Sequence, residues 1–259
     1  MEKTILIPNS FYGPIVPAVF RQRLHRFAAR VETEEGVEEV HIPNSGRLRE
    51  LLFPGNQVGL HFEGRNGRKT RYTLVNAQTP SGWAYIDSRL PNRILAKHWR
   101  DFPELGGYEK AYPEKVSGAS RFDLALYRGE PPEITFLEAK CVTLVREETG
   151  LFPDAPTERG RKHLHELAQL AREGRRSMVF FFLQHPAGRK AGANTATDPE
   201  FAIAMAEAIK AGVEFYAYRV FPGEKWVELT RVPVEGTVDG KVRRGLKPTA
   251  KSEKRSKAR

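Results

Sequence analysis

The sequence predicts a mixed α/β protein, in which an N-terminal OB-like β-barrel is followed by a sheet covered by helices. Residues 15–87 read as short strands, and one helical segment interrupts them after the third strand. That element order is typical of an OB barrel. Residues 120–220 read as a hairpin followed by helix, strand, helix and strand, which indicates an α/β sheet with helices on its faces.

The barrel is predicted from six short runs with strand composition. They cover 15–21, 23–32, 37–42, 57–63, 71–78 and 83–87. A short helix is predicted between the third and fourth strands, because Asn44 or Ser45 can cap it and its leucines up to Leu52 share one apolar side. Pro54 and Gly55 would stop it.

The second domain is predicted to begin near Pro91. In chain order its elements are a helix over 92–101, the hairpin 120–142, a helix capped by Thr157, a strand over 177–183, a helix started by Asp198 and Pro199, and a strand over 213–220. Residues 177–183 form a continuous apolar run, which predicts a strand buried on both faces. Three domains result: 1–90, 91–235 and a disordered basic tail over 236–259.

Composition excludes several classes of protein. The chain has 259 residues, of which 40% are hydrophobic and 29% charged, as in ordinary globular proteins. No apolar run approaches the roughly 18 residues that a membrane span needs, so no membrane partner is expected. The first residues lack the features of a signal peptide, and the single cysteine, Cys141, excludes an internal disulfide. Both observations predict a cytoplasmic protein.

Most of the net charge of +10 lies in the tail. Residues 241–259 hold nine basic residues and one acidic residue, a net +8. The remaining 240 residues hold 33 of the 42 basic and 31 of the 32 acidic residues, a net +2. With almost no apolar residues the tail is predicted to be disordered, as a nucleic-acid arm or as a solubilising appendage.

The hairpin 120–142 carries the strongest chemical signal. Glu138 and Lys140 are two residues apart on one strand, so their side chains share a face. Asp123 would lie opposite the end of that strand if the hairpin pairs in simple register. Two carboxylates suit Mg²⁺ or Mn²⁺, which binds few protein ligands plus water and phosphate oxygens, and the lysine could hold and help deprotonate a water. This pattern is typical of a metal-dependent phosphodiesterase. The alternative is a pair of solvated surface charges.

A second candidate site lies at the start of the helix after residue 156. Thr157, Arg159, Lys162 and His163 gather there, and the free N–H groups of a helix N-terminus favour phosphate. The alternative is that Lys162 pairs with Glu166 along the helix while His163 packs against the sheet.

A third candidate is a groove of the barrel that follows a nucleic-acid backbone by cationic and aromatic contacts. Its residues would be His41, Asn44, Arg47, Arg68, Lys69 and Tyr72. The alternative is that residues 43–46 form a purely structural turn.

The motifs together resemble the sugar fermentation stimulation protein A (SfsA) family over roughly residues 10–222. They are HIPNSGR at 41–47, ELLFPG at 50–55, RKT at 68–70, SRFD at 120–123, EAK at 138–140, FPDAPTERG at 152–160 and KHL at 162–164. Two positions depart from the pattern: Ser45 replaces a threonine, and His185 replaces an arginine. The serine keeps the hydroxyl, whereas the histidine leaves no fixed positive charge beside Gln184.

The resemblance implies an OB-like domain joined to a PD-(D/E)xK nuclease-like α/β domain, with DNA binding as the commonest activity. It also implies that Asp123 and Glu138 bind metal, that Lys140 is catalytic and that Glu114 supplies an additional acid. Arg121, inside the SRFD motif, is expected to contact nucleic acid.

Two functions are therefore expected. The first is a DNA-binding, divalent-metal-dependent nuclease that hydrolyses phosphodiester bonds of DNA or RNA. The alternative is a non-catalytic DNA-binding regulator of sugar metabolism on a nuclease-like scaffold. The presence of Asp123, Glu138 and Lys140 together favours the nuclease. The sequence leaves the oligomeric state open, a homodimer included.

Overall fold

The chain forms a closed β-barrel and an α/β domain on a seven-stranded sheet. The computed structural model describes residues 4–64, 67, 69–238 and 240–242. Two predictions fall outside the described residues. They concern Arg68, which was predicted to bind nucleic acid, and residues 243–259 of the predicted basic tail. The start of the predicted tail is paired: β17 (Thr237–Val238) and β18 (Lys241–Val242) form a short antiparallel ladder.

The barrel confirms the predicted OB-like domain. Its strands are β2 (Ile15–His25), β3 (Ala28–Thr33), β4 (Gly36–His41), β5 (Gln57–Phe62) and β6 (Tyr72–Thr79). Neighbours pair in the order β4-β3-β2-β5-β6, and the parallel bridge between His41 and Thr73 closes the ring. β7 (Gly82–Tyr85) adds a hairpin to β6. Val31, Val40, Leu60 and Leu74 fill the interior with no exposed surface.

The prediction of a short helix from Asn44 to Leu52 is wrong. The segment forms turns, and Leu48 adopts a left-handed conformation with φ of 51°. The Asn44 side chain does not cap a helix, because its amide donates to Ile86 O at 2.7 Å and its oxygen accepts from Gly46 N at 2.8 Å. Leu48 and Leu51 nevertheless pack into the barrel core, as their apolar spacing predicted.

The α/β domain contains one mixed sheet with the strand order β1-β16-β15-β13-β10-β9-β8. The bounds are β1 (Thr4–Pro8), β8 (Lys110–Ser117), β9 (Ser120–Arg128), β10 (Glu133–Val142), β13 (Ser177–Leu183), β15 (Glu214–Pro222) and β16 (Trp226–Val232). β10, β13 and β15 run parallel, and the outer pairs are antiparallel. The predicted α/β class is confirmed.

Helices cover both faces of this sheet. α2 (Glu158–Arg172) and α3 (Pro199–Ala211) pack on one face, where Phe181 of β13 is fully buried. α1 (Leu90–His98) packs on the other face against Phe180 and Phe182. All seven residues of β13 are buried, because helices lie on each side of it.

Several elements were absent from the sequence prediction. They are β1, β8, β16 and a small sheet of β11 (Leu144–Arg146), β12 (Thr149–Phe152) and β14 (Lys190–Ala193). β8 is an edge strand that contains Pro113 and is mostly exposed, so it lacks apolar alternation. β1 comes from the predicted first domain, 1–90, yet pairs with β16 in the second sheet. No helix among the described residues is long and apolar enough to cross a membrane.

Candidate metal and nucleic-acid site

The hairpin pairs in the register that the sequence analysis assumed. The pair between Leu124 and Leu137 places Asp123 opposite Glu138 at the end of the ladder. Lys140 lies on the same face as Glu138, and its Nζ donates to Glu138 Oε1 at 2.6 Å. The structure thus brings Asp123, Glu138 and Lys140 to one wall of a cleft.

Asp123 is held in place by donors on both oxygens. Oδ1 accepts from Asn92 Nδ2 at 2.6 Å, and Oδ2 accepts from Ala139 N at 2.8 Å. Burial, followed by the charge of Glu138, raises the pKa of Asp123 to about 6. The half-buried carboxylate of Asp123 and the buried carboxylate of Glu138 therefore repel one another, and this repulsion favours a cation between them.

Glu138 is 4% exposed and is engaged on one oxygen only. Its Oε1 accepts from Lys140 Nζ and from His163 Nδ1, both at 2.6 Å. Burial raises the pKa of Glu138, but Lys140 and His163 outweigh it and bring the pKa below its ordinary value. The carboxylate is therefore ionised at neutral pH.

The second oxygen of Glu138 identifies the place for a ligand. Oε2 is buried and has no hydrogen-bond partner within the described part of the chain. A buried carboxylate oxygen without a partner is costly, and a bound ion or an ordered water would remove that cost. The donor set, two carboxylates with one free buried oxygen, fits a hard divalent cation that keeps several waters.

The cleft has a volume of about 520 Å³ and lies between the two domains. The barrel contributes Arg26 and the turn Asn44–Gly46, α1 contributes Asn92, and the segment before α1 contributes Ser88. The opposite wall is the segment 151–159, which includes Asp154, Thr157 and Arg159. The metal candidates thus open onto a space lined by two exposed arginines, Arg26 and Arg159.

Asp154 joins the two walls. Its carboxylate accepts from Leu48 N at 3.4 Å and from the Arg47 amide, so it holds the turn that follows Gly46. A Cβ added at Gly46 would overlap the carboxylate of Asp154. Only glycine lets the barrel turn approach this carboxylate so closely.

We expect Gly46→Ala to lower the free energy of unfolding by roughly 1–3 kcal/mol, because the new methyl group overpacks the contact with Asp154. Chemical denaturation of the variant checks this value. In an Asp154→Ala background the same substitution should cost much less, since the obstructing carboxylate is gone. Equal costs in both backgrounds would show that Asp154 is not the obstacle.

The helix start at residue 157 only partly matches its predicted role. Thr157 caps α2, with its Oγ1 accepting from Gly160 N at 3.0 Å, and its own amide donates to Asp198. His163 is buried against Glu138, and Lys162 donates to Ala119 O at 2.9 Å. His163 therefore packs on the sheet, and it positions Glu138 rather than holding phosphate. Only Thr157 and Arg159 of the predicted set line the cleft.

Glu114 is not brought to the metal candidates. The flanking pairs of β8 and β9 would place it opposite Asp123, but its φ of 54° breaks the ladder at that point. Its side chain is 63% exposed and forms an ion pair with Arg121 at 3.4 Å. Arg121 is exposed as well, and neither residue lines the cleft. Within the described ranges, no cluster of three or more His, Cys, Asp or Glu side chains could hold a metal.

The predicted barrel contacts fall in two places. Asn44 lines the cleft, whereas His41 and Lys69 line a separate groove of about 400 Å³ on the barrel. Arg47 is exposed and lines neither cavity, although its carbonyl oxygen accepts from Arg23 at 2.6 Å. Sequence reasoning missed Arg26, Asn92 and Asp154. A lone Asn, Arg or Asp in a loop or at a helix start carries no periodic signal.

Comparisons with known proteins agree with this architecture. Residues 22–86 match the family model described as the SfsA N-terminal OB domain, and residues 89–225 match the model described as the sugar fermentation stimulation protein RE domain.

Similar proteins carry the same description. A "sugar fermentation stimulation protein homolog" of Thermoanaerobacter sp. (strain X514) is 42% identical over 220 residues, which cover 84% of this chain and 95% of that protein. A homolog of Alkaliphilus metalliredigens is 39% identical over the same length and is covered to 94%. A solved structure, Pyrococcus furiosus SfsA in complex with Ca²⁺, superposes with a TM-score of 0.79 at 32% identity, and the match covers 89% of this chain and 99% of that one.

Proposed function

The chain belongs to the sugar fermentation stimulation protein (SfsA) family, and from that premise we propose that it is a divalent-metal-dependent nuclease acting on DNA or RNA. One observation carries the proposal. The buried carboxylate of Glu138 is held on one oxygen by Lys140 and His163, while its other oxygen has no partner in the described part of the chain. Glu138 and Asp123 both line the cleft.

Asp123 and Glu138 would hold the metal. A bound Mg²⁺ or Mn²⁺ neutralises charge on phosphate oxygens and makes a bound water more acidic. Two protein carboxylates suit Mg²⁺, which retains several of its waters when it binds. Pyrococcus furiosus SfsA was solved in complex with Ca²⁺, another cation that prefers oxygen ligands, which supports a divalent site in the family.

The protein's own residues orient the reacting groups. Lys140 Nζ uses one hydrogen on Glu138 and keeps two more for a water or a phosphate oxygen in the cleft. Asn92 and the Ala139 amide fix the rotamer of Asp123, and His163 fixes that of Glu138. Such positioning removes reorganisation when the substrate binds.

The cleft walls supply contacts for the substrate backbone. Arg26 of the barrel and Arg159 of the opposite wall are exposed and flank the carboxylates. Guanidinium groups grip phosphate through two parallel hydrogen bonds. A nucleic-acid backbone crossing the cleft would thus be held on both sides of Asp123 and Glu138.

The proposal is tested by incubating the purified protein with labelled single- and double-stranded DNA and RNA in Mg²⁺, in Mn²⁺ and in EDTA. We expect cleavage with either metal, none in EDTA, and none by Asp123→Ala in any condition, because that variant loses half of the carboxylate pair.

Contamination and loss of folding are excluded separately. A contaminating nuclease would cut equally in the Asp123→Ala preparation, and thermal unfolding shows whether this variant is folded. Binding without cleavage by the unmodified protein in every condition would overturn the nuclease proposal in favour of a DNA-binding regulator.

A further inference from the structure

The tip of the hairpin between β2 and β3 presents an aromatic ring to solvent. Phe27 lies in the turn and is 43% exposed. The guanidinium of Arg26 lies over the ring, 5.9 Å from its centroid. A half-exposed ring with a cation beside it is a platform on which an unpaired base can stack.

The tip separates two cavities that share a wall. Arg26 lines the cleft that contains the metal candidates, and the next residue, Phe27, lines the barrel groove. The same division recurs on the facing segment, where Ser88 lines the cleft and Arg89 lines the groove. Two pairs of consecutive residues therefore connect the cavities. A nucleic-acid strand that lies in the groove would continue past Phe27 towards Asp123.

The groove suits a polyanion. His25, His41, Lys69 and Arg89 line it together with one carboxylate, Glu39. Arg89 is already paired with the buried Asp87 at 2.8 Å, so Lys69 and the neighbouring Arg26 supply the positive charge. Cationic tracking of the backbone with stacking of bases is the usual way in which barrels of this kind bind single strands.

Hydrogen bonds connect the tip to the wall of the cleft. Arg23 donates to Arg26 O at 2.7 Å and to Arg47 O at 2.6 Å, which joins the tip to the turn after Asn44. Asp154 holds that same turn from the opposite wall. Because the platform is fixed relative to the carboxylates before binding, little ordering is required of the protein.

We propose that Phe27 is a stacking platform that leads single-stranded nucleic acid from the barrel groove into the metal cleft. The proposal rests on the proposed nuclease function and specifies its substrate as a strand with unpaired bases. In a duplex both faces of each base are covered by the neighbouring base pairs, so no face is free to stack on Phe27. The platform therefore selects against duplex.

The test measures binding apart from cleavage. Fluorescence anisotropy in EDTA gives the affinity of the full chain for labelled 12-nucleotide oligo-dT and oligo-U, and for a duplex of the same length. Phe27→Ala should weaken binding of a single strand by roughly 5- to 150-fold, the range of one stacked base, and leave duplex binding unchanged. Phe27→Trp should bind a single strand about as tightly as the unmodified protein, since it also presents an aromatic ring. If Phe27→Ala loses affinity only for oligo-dT, the strand that stacks on Phe27 is DNA. If it loses affinity only for oligo-U, that strand is RNA.

Phe53→Ala is the matched control. Phe53 is 47% exposed but lines a different cavity, with Asn56 and His185. Three results would overturn the role of Phe27 as a platform. They are an unchanged affinity of Phe27→Ala for single strands, an equal loss of single-strand affinity in Phe53→Ala, and an equal loss of duplex affinity in Phe27→Ala. Absence of cleavage by the unmodified protein in Mg²⁺, with binding still dependent on Phe27, would instead overturn the nuclease proposal alone.

Discussion

Lys140→Ala is expected to lower the rate of Mg²⁺-dependent cleavage by roughly 10²- to 10⁴-fold, the usual contribution of a positioned proton-transfer group. The structure places its ammonium 2.6 Å from Glu138 on the wall of the cleft, and its remaining N–H groups would donate to a water or a phosphate oxygen bound there. The loss should appear in kcat more than in KM, because the arginines that flank the cleft are unchanged. Single-turnover kinetics with the preferred oligonucleotide measures it.

Two controls make this result specific. Lys115→Ala removes an exposed lysine from β8, outside the cleft, and should leave kcat unchanged. Thermal unfolding shows whether Lys140→Ala is folded, and His163 remains to hold Glu138 in that variant. Cleavage by folded Lys140→Ala within a few-fold of the unmodified rate would remove Lys140 from the mechanism.

Metal binding is expected to weaken as the pH falls through about 6, the value to which burial and Glu138 raise the pKa of Asp123. Above that pH Asp123 is a carboxylate and its affinity for metal is constant. Below it a proton competes for the same oxygens, so the Mn²⁺ concentration for half-saturation should rise by about tenfold for each pH unit. Glu138 adds little to this slope, because its lowered pKa keeps it ionised over the same interval.

Calorimetric titration with Mn²⁺ between pH 5 and 8 checks this slope. Asp123→Asn should bind Mn²⁺ weakly at every pH, since it resembles the protonated state. Glu114→Gln is the informative control, because the sequence assigned that acid to the metal whereas the structure pairs it with Arg121. If Glu114→Gln weakened Mn²⁺ binding as strongly as Asp123→Asn, the conformation of β8 would have to change on binding.

The hairpin was predictable because its determinants are local. Alternation along a strand fixes the common face of Glu138 and Lys140, and the turn after Arg128 fixes the register that brings Asp123 opposite. The caps at Thr157 and Asp198 were predictable for the same reason, since each accepts from an amide three residues away.

The predictions that failed concern features that no local sequence pattern records. Leu48 and its neighbours have helical spacing, yet the turn around them is shaped by Ile86 and Asp154, which are distant in sequence. Glu114 lies at the right register, but a left-handed backbone conformation at a single residue of an edge strand carries no sequence signal. His163 lies at a helix start suited to phosphate, and only the packing of α2 shows that it faces Glu138.

The sequence by itself determined the OB-like barrel, the α/β class and the hairpin that carries Asp123, Glu138 and Lys140, since period, turns and caps act over a few neighbouring residues. Only the tertiary structure decided what surrounds them: Asn92 on Asp123, His163 on Glu138, Asp154 across the cleft and Phe27 in the neighbouring groove. Such contacts join residues tens of positions apart. They depend on how the barrel, the helices and the sheet pack together, which no local pattern records.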